Sequence, residues 1–163
     1  MHKLFAGAGM PERRAARHTH ARHCYLHHGL EVPTAVPRRV LVLSQNIENS
    51  RVIEDATQPW MFETVVCSSL EESRRLLDRE DFVLVFCEDG FEGGAYRDLL
   101  SQSQRPRRVP VVIMISGADR DAVFQDAMAL GAFGVVGVPC SRKDVQWMVI
   151  RATHQGQSRR SAR

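Results

Sequence analysis

The sequence has no apolar run near the ~18 residues that a membrane-spanning helix needs, so no segment is expected to cross a bilayer. Its basic N-terminus has no apolar stretch of the kind that forms the core of a signal peptide, which predicts a cytoplasmic chain. The four cysteines, Cys24, Cys67, Cys87 and Cys140, include no C-x-x-C pair, and two of them sit in apolar runs. They read as buried, reduced thiols, not as a disulfide framework or a zinc site. There is no G-x-G-x-x-G and no Walker loop, and the turn Ser44–Ser50 contains no glycine to let a backbone cradle phosphate. Nucleotide and flavin chemistry is therefore not expected, and no cofactor is assigned. No internal repeat breaks the chain into smaller units.

What is present is one domain of ordinary globular composition: 163 residues, 44% hydrophobic and 25% charged. The net charge of +3 conceals an uneven distribution, +3 over residues 1–37, −4 over 38–150 and +4 over 151–163. Residues 1–37 hold scattered charge, three prolines and six of the seven histidines, and no sustained apolar period. They are expected to be a disordered extension. The cluster His18, His20, His23, Cys24, His27 and His28 mixes metal-ligand types, but its spacing matches no closed four-ligand pattern, so no metal is assigned. Residues 153–163 read as a basic tail. Its Arg159, Arg160 and Arg163, with Arg151 just before it, are the residues a nucleic-acid-binding role would use.

From Arg38 the pattern becomes regular. Val40–Leu43, Phe62–Cys67, Phe82–Cys87, Val109–Ile115 and Val135–Val138 read as five strands, the third of them, Phe82–Cys87, unbroken apolar and covered on both faces. Between them the spacing predicts helices from Asn46 to about Trp60, from Ser68 or Ser69 through Leu77, from Ala95 to about Gln102, and from Asp119 or Asp121 to Gly131. The last of these would carry Val123, Phe124, Ala127 and Leu130. A final helix capped by Ser141 carries Val145, Met148, Val149 and Ala152 inward, with Trp147 and Ile150 on another side. Cys140 opens that helix, where the dipole could lower its pKa, but no histidine lies nearby in sequence and it reads as a spectator thiol. Strands alternating with helices over short connections imply a doubly wound α/β fold: a five-stranded parallel sheet, flavodoxin-like, in the order 2-1-3-4-5. Chemistry in such a sheet sits beyond the strand ends, which singles out Glu88 and the Gly-rich stretch after it.

Val109-Pro-Val-Val-Ile-Met-Ile-Ser116, Ala127-Met-Ala-Leu-Gly-Ala132 and the Val138-Pro139 corner resemble bacterial response-regulator receiver domains, and the likeness runs from residue 38 to about 152. The intervals fit as well, with 28 residues from Glu88 to Ser116 and 22 from Ser116 to Val138. The resemblance implies a phosphoryl group taken onto an aspartate after the third strand, with Mg²⁺ held by two acids after the first. It also implies a Ser or Thr after the fourth strand and a Lys before the proline after the fifth. This chain carries Ser44 and Gln45 at the acid pair, Glu88 at the acceptor and Val138 at the lysine; only Ser116 and Pro139 agree with the pattern. The aromatic switch position of the fifth strand is Val135.

With that set of residues neither metal binding nor catalysis is expected, and the chain reads as a pseudo-receiver that acts as a protein-interaction module in two-component-type signalling. A conventional phospho-accepting regulator and a nucleic-acid-associated regulator are the alternatives. Glu88 has two readings: a permanent charge partway toward the phosphoryl position, or a solvated acid at a strand end. Sliding the register by one would make Asp89 the acceptor, but pleat alternation would turn it from the crevice; sliding by two would place Phe86 there. In the family the face of the fourth helix, fifth strand and fifth helix meets partners. Trp147 and Ile150 are accordingly expected to anchor a homodimer or a signalling partner.

Overall fold

The computed structural model describes residues 38–91, 93–102 and 109–161, and the side chains only as far as 155. The His-rich extension 1–37 and the side chains of Arg159, Arg160 and Arg163 lie outside the described residues.

The elements run β1 (Arg39–Leu43), α1 (Ile47–Thr57), a 3-10 turn (Gln58–Trp60), β2 (Glu63–Cys67), α2 (Leu70–Arg79) and β3 (Leu84–Glu88). A short hairpin, β4 (Gly90–Phe91) and β5 (Gly94–Ala95), leads into α3 (Tyr96–Gln102). After it come β6 (Val111–Ile115), α4 (Arg120–Ala129), β7 (Gly134–Gly137) and α5 (Arg142–Ser161). The five long strands form one parallel sheet in the order β2-β1-β3-β6-β7, the flavodoxin-like order that the alternation of strands and helices predicts.

Strand alternation divides the core cleanly. Val40, Val42, Leu84, Phe86, Val112 and Met114 face one side, where Ile53 and Ala56 of α1 and Val145, Met148, Val149 and Ala152 of α5 cover them. Leu41, Leu43, Val85, Cys87, Val111, Ile113 and Ile115 face the other, against Leu70, Leu99, Leu100 and Ala127 of α2, α3 and α4. Each fully buried aliphatic or aromatic side chain contributes roughly 1.5–3 kcal/mol, so a strand apolar on both faces holds two helical layers at once.

The caps are those the sequence signals. Asn46 accepts from the Glu48 amide at 2.9 Å, Ser69 from the Glu72 amide, and Ser141 and Asp144 bond each other reciprocally in a capping box. Gly131 ends α4 at a φ of 91°, the left-handed conformation that favours glycine.

Two features depart from expectation. The Gly-rich stretch after β3 forms the β4–β5 hairpin instead of a plain loop, turning at Gly93 with a φ of 82°. Helix α5 continues past Ala152 to Ser161, because the end of its core stripe removes burial without introducing a stop: no proline follows, and Gly156 is only a weak breaker. Of the four apolar residues named for α4, Ala127 is buried and Val123 partly so, but Phe124 and Leu130 are 44% and 41% exposed. No helix among the described residues is long and apolar enough to cross a membrane.

Candidate functional site

The C-terminal ends of β1, β3 and β6 lie side by side, with Leu43 opposite Cys87 and Glu88 opposite Met114. Glu88 continues the Leu84–Phe86 side of its strand, so its carboxylate leaves the sheet toward α1. There Oε1 accepts from the Ser44 hydroxyl at 2.5 Å and from the Asn49 amide at 2.9 Å, and Oε2 accepts from the Gln45 backbone N–H at 3.1 Å. Ser44 and Asn49 are both buried. Glu88 is therefore not a solvated strand-end acid, its partners being Ser44, Gln45 and Asn49. It ties the β1–α1 turn to the central strand.

The acid that meets Ser116 is Asp89. Its carboxylate accepts from the Ser116 backbone N–H at 3.0 Å and from the Ser116 hydroxyl at 3.1 Å. Strict alternation would have turned Asp89 away, but β3 stops at Glu88, and the chain leaves the pleat there. The Asp89 amide still reaches the Met114 carbonyl at 3.0 Å, which holds the residue beside the end of β6.

At the end of β7 the lysine position is filled by Val138, whose side chain packs on the α1–α5 layer and whose carbonyl accepts from Arg120 Nη2 at 3.1 Å. The Val138–Pro139 peptide is cis, and Pro139 is exposed. Gly137 leaves room for this contact: a Cβ built there would stand 2.9 Å from Arg120 Nη1. Val135 is partly buried against the α2–α3–α4 layer. Trp147 is 59% exposed and Ile150 38%, on the side of α5 opposite its core stripe, while Phe124 and Met128 are exposed on α4.

Among the described residues the three thiols, Cys67, Cys87 and Cys140, are all buried. Burial pushes Cys67 up to about 12, with Glu72 adding to the shift, and burial likewise raises Cys87 and Cys140.

The donor set does not fit the magnesium ion that the resemblance implies. A near-octahedral oxygen shell is usually built on paired carboxylates, whereas Glu88 and Asp89 turn to different partners and already accept from three and two donors of the protein. Among the described residues no three His, Cys, Asp or Glu side chains converge.

Sequence reasoning missed Asn49 and Arg120. Asn49 could have been found as an amide in the first turn of α1, close to the strand end where Glu88 emerges. Arg120 had only its place at the start of α4 to mark it. The arrangement makes Glu88 the keystone of the β1–α1 turn. Glu88→Ala, which strands the buried Asn49 amide and leaves the Ser44 hydroxyl only the Asn46 carbonyl, is expected to lower the unfolding free energy by about 1–3 kcal/mol in urea titration, and Glu88→Gln by less. Equal stability of the Ala variant and the unmodified protein would show that the turn is held by something else.

No protein-family model matches the chain, and no curated protein does. Solved structures do. The chemotaxis response regulator CheY4 of Vibrio cholerae superposes with a TM-score of 0.61 at 13% identity, over 70% of this chain and 97% of its own. A response regulator receiver domain protein from Clostridium thermocellum gives 0.64 at 19% identity, over 73% of this chain and 96% of its own. NtrX from Brucella abortus, in complex with ADP, gives 0.68 at 16% identity, over 76% of this chain and 29% of its own. At such identities the likeness is one of fold. Sheet order, paired helical layers and these superpositions together establish that the chain has the fold of the response-regulator receiver domains.

Proposed function

We propose that the chain is a pseudo-receiver: a cytoplasmic signalling module that works through a protein surface and takes no phosphoryl group. The observation that supports this reading most is the Glu88 carboxylate, bonded to Ser44, Gln45 and Asn49. A phosphoacceptor carboxylate needs a free oxygen facing the incoming group, with positive charge placed where negative charge develops. Glu88 faces the β1–α1 turn instead, and Ser44 and Gln45 bring no metal-binding carboxylate. Val138 brings no ammonium, and the nearby guanidinium of Arg120 is bonded to the Val138 carbonyl. Removing such charge stabilisation costs several kcal/mol of transition-state energy per group, enough to abolish transfer on a signalling timescale.

The output surface in this reading is the side of the domain carrying Trp147 and Ile150 on α5, with Phe124 and Met128 exposed on α4. A second copy of the chain or a signalling partner covers it. The nucleic-acid alternative gains no support from Arg151, whose guanidinium stacks over the Phe133 ring at 5.0 Å.

Incubation of the purified chain with acetyl phosphate and Mg²⁺, read by intact mass, is expected to give no adduct while an active receiver labels in parallel. A single phosphoryl adduct would sink the reading. Sedimentation equilibrium tests the surface: the unmodified protein is expected to weigh more than its 18.4 kDa monomer at high concentration, and Trp147→Glu to sediment as a monomer. Identical masses for the two would exclude self-association through this helix.

A further inference from the structure

We propose that Asp89 is a built-in clasp that fixes the position of α4, supplying from within the chain the anion that Ser116 binds. The inference rests on the reading that no phosphoryl group reaches Ser116, and it goes further by saying what holds α4 instead.

Helix α4 is poorly secured by apolar burial. Ala127 is its one buried residue, Val123 is partly covered, and Phe124 and Met128 face outward. A helix with so little buried surface sits at the low-stability end of a domain unless polar contacts hold it. The structure supplies them at both ends. Before the helix, Asp89 takes both the backbone N–H and the hydroxyl of Ser116, the residue at which the chain leaves β6. In its first turn Arg120 donates to the Val138 carbonyl. Toward its C-terminus Asp126 accepts from the Tyr96 hydroxyl at 2.5 Å and from Arg97 Nε at 2.9 Å, both on α3.

Of these contacts, the Asp89 pair joins the β6–α4 connection to the end of the central strand, while Arg120 joins α4 itself to the end of β7. A carboxylate accepting two donors from one residue fixes that residue in direction as well as distance, and a charged acceptor makes both bonds stronger than neutral ones. Being part of the chain, Asp89 needs no donor to deliver it and no phosphatase to remove it. Phe124 and Met128 are thereby presented in one orientation at all times.

Native-state amide hydrogen exchange on the full chain tests the clasp. Asp89→Ala is expected to speed exchange at Ser116 and at Val123 to Ala129 by about ten- to a hundredfold, with β1 and β3 unchanged, as the loss of charge-assisted bonds at one end of a locally opening helix requires. Asp89→Asn, which keeps the shape and one acceptor oxygen, is expected to give a smaller effect in the same residues, and it carries the test if the alanine variant fails to fold. Exchange in α4 within twofold of the unmodified protein would overturn the proposal. So would acceleration spread equally over β1, β3 and α4, since a clasp acts locally. A phosphoryl adduct on the unmodified protein is a separate result, which strikes the pseudo-receiver reading and leaves the exchange pattern to be judged by itself.

Discussion

The site depends on one carboxylate at the end of the central strand. Glu88 emerges on the α1 side because the pleat of β3 puts it there, and three donors from the β1–α1 turn converge on it. The buried Asn49 amide would be costly without an acceptor, so the carboxylate and the turn need one another. In a catalytic receiver, acids at those first-strand positions gather around a metal. Here the replacement of acids by Ser44 and Gln45 turns a cation-binding corner into an anion-binding one. Glu88 is the anion.

A second consequence is the division of labour between neighbouring acids. With Glu88 committed to the turn, Asp89 is left beside β6, where it takes Ser116. The two carboxylates thus lock the first and the fourth main-strand connections to the middle of the sheet. At the third edge Arg120 performs a similar service for the connection after β7. The strand ends that form a reaction site in an active receiver are here joined by hydrogen bonds within the chain.

Much of the architecture was legible in the sequence because apolar strand runs, helix caps and Gly131 each carry a local physical signature. The sheet order follows once alternation and short connections are granted. The hairpin after β3 was not legible, since Gly90, Gly93 and Gly94 mark a turn without saying whether its arms pair. Nor was the length of α5, whose last turns have no core stripe to betray them. Within the site, the positions of Ser44, Gln45, Glu88, Ser116 and Val138 come from the resemblance to receiver domains, with which the intervals from Glu88 to Ser116 and from Ser116 to Val138 agree. The partner of each could not be read, because a residue just beyond a strand escapes the alternation rule. That is why Asp89, judged by alternation, appears turned away from Ser116 and is found bonded to it.

The central claim is that Glu88 is satisfied by the protein itself and has nothing to offer a cation. Its most direct test is a Mg²⁺ titration of the full chain followed by ¹H–¹⁵N correlation spectra. The amides of Ser44 to Asn49, Glu88 and Asp89 are expected to show no saturable shift up to millimolar Mg²⁺. Saturable shifts confined to those residues would mean that the corner opens to metal and would contradict that claim.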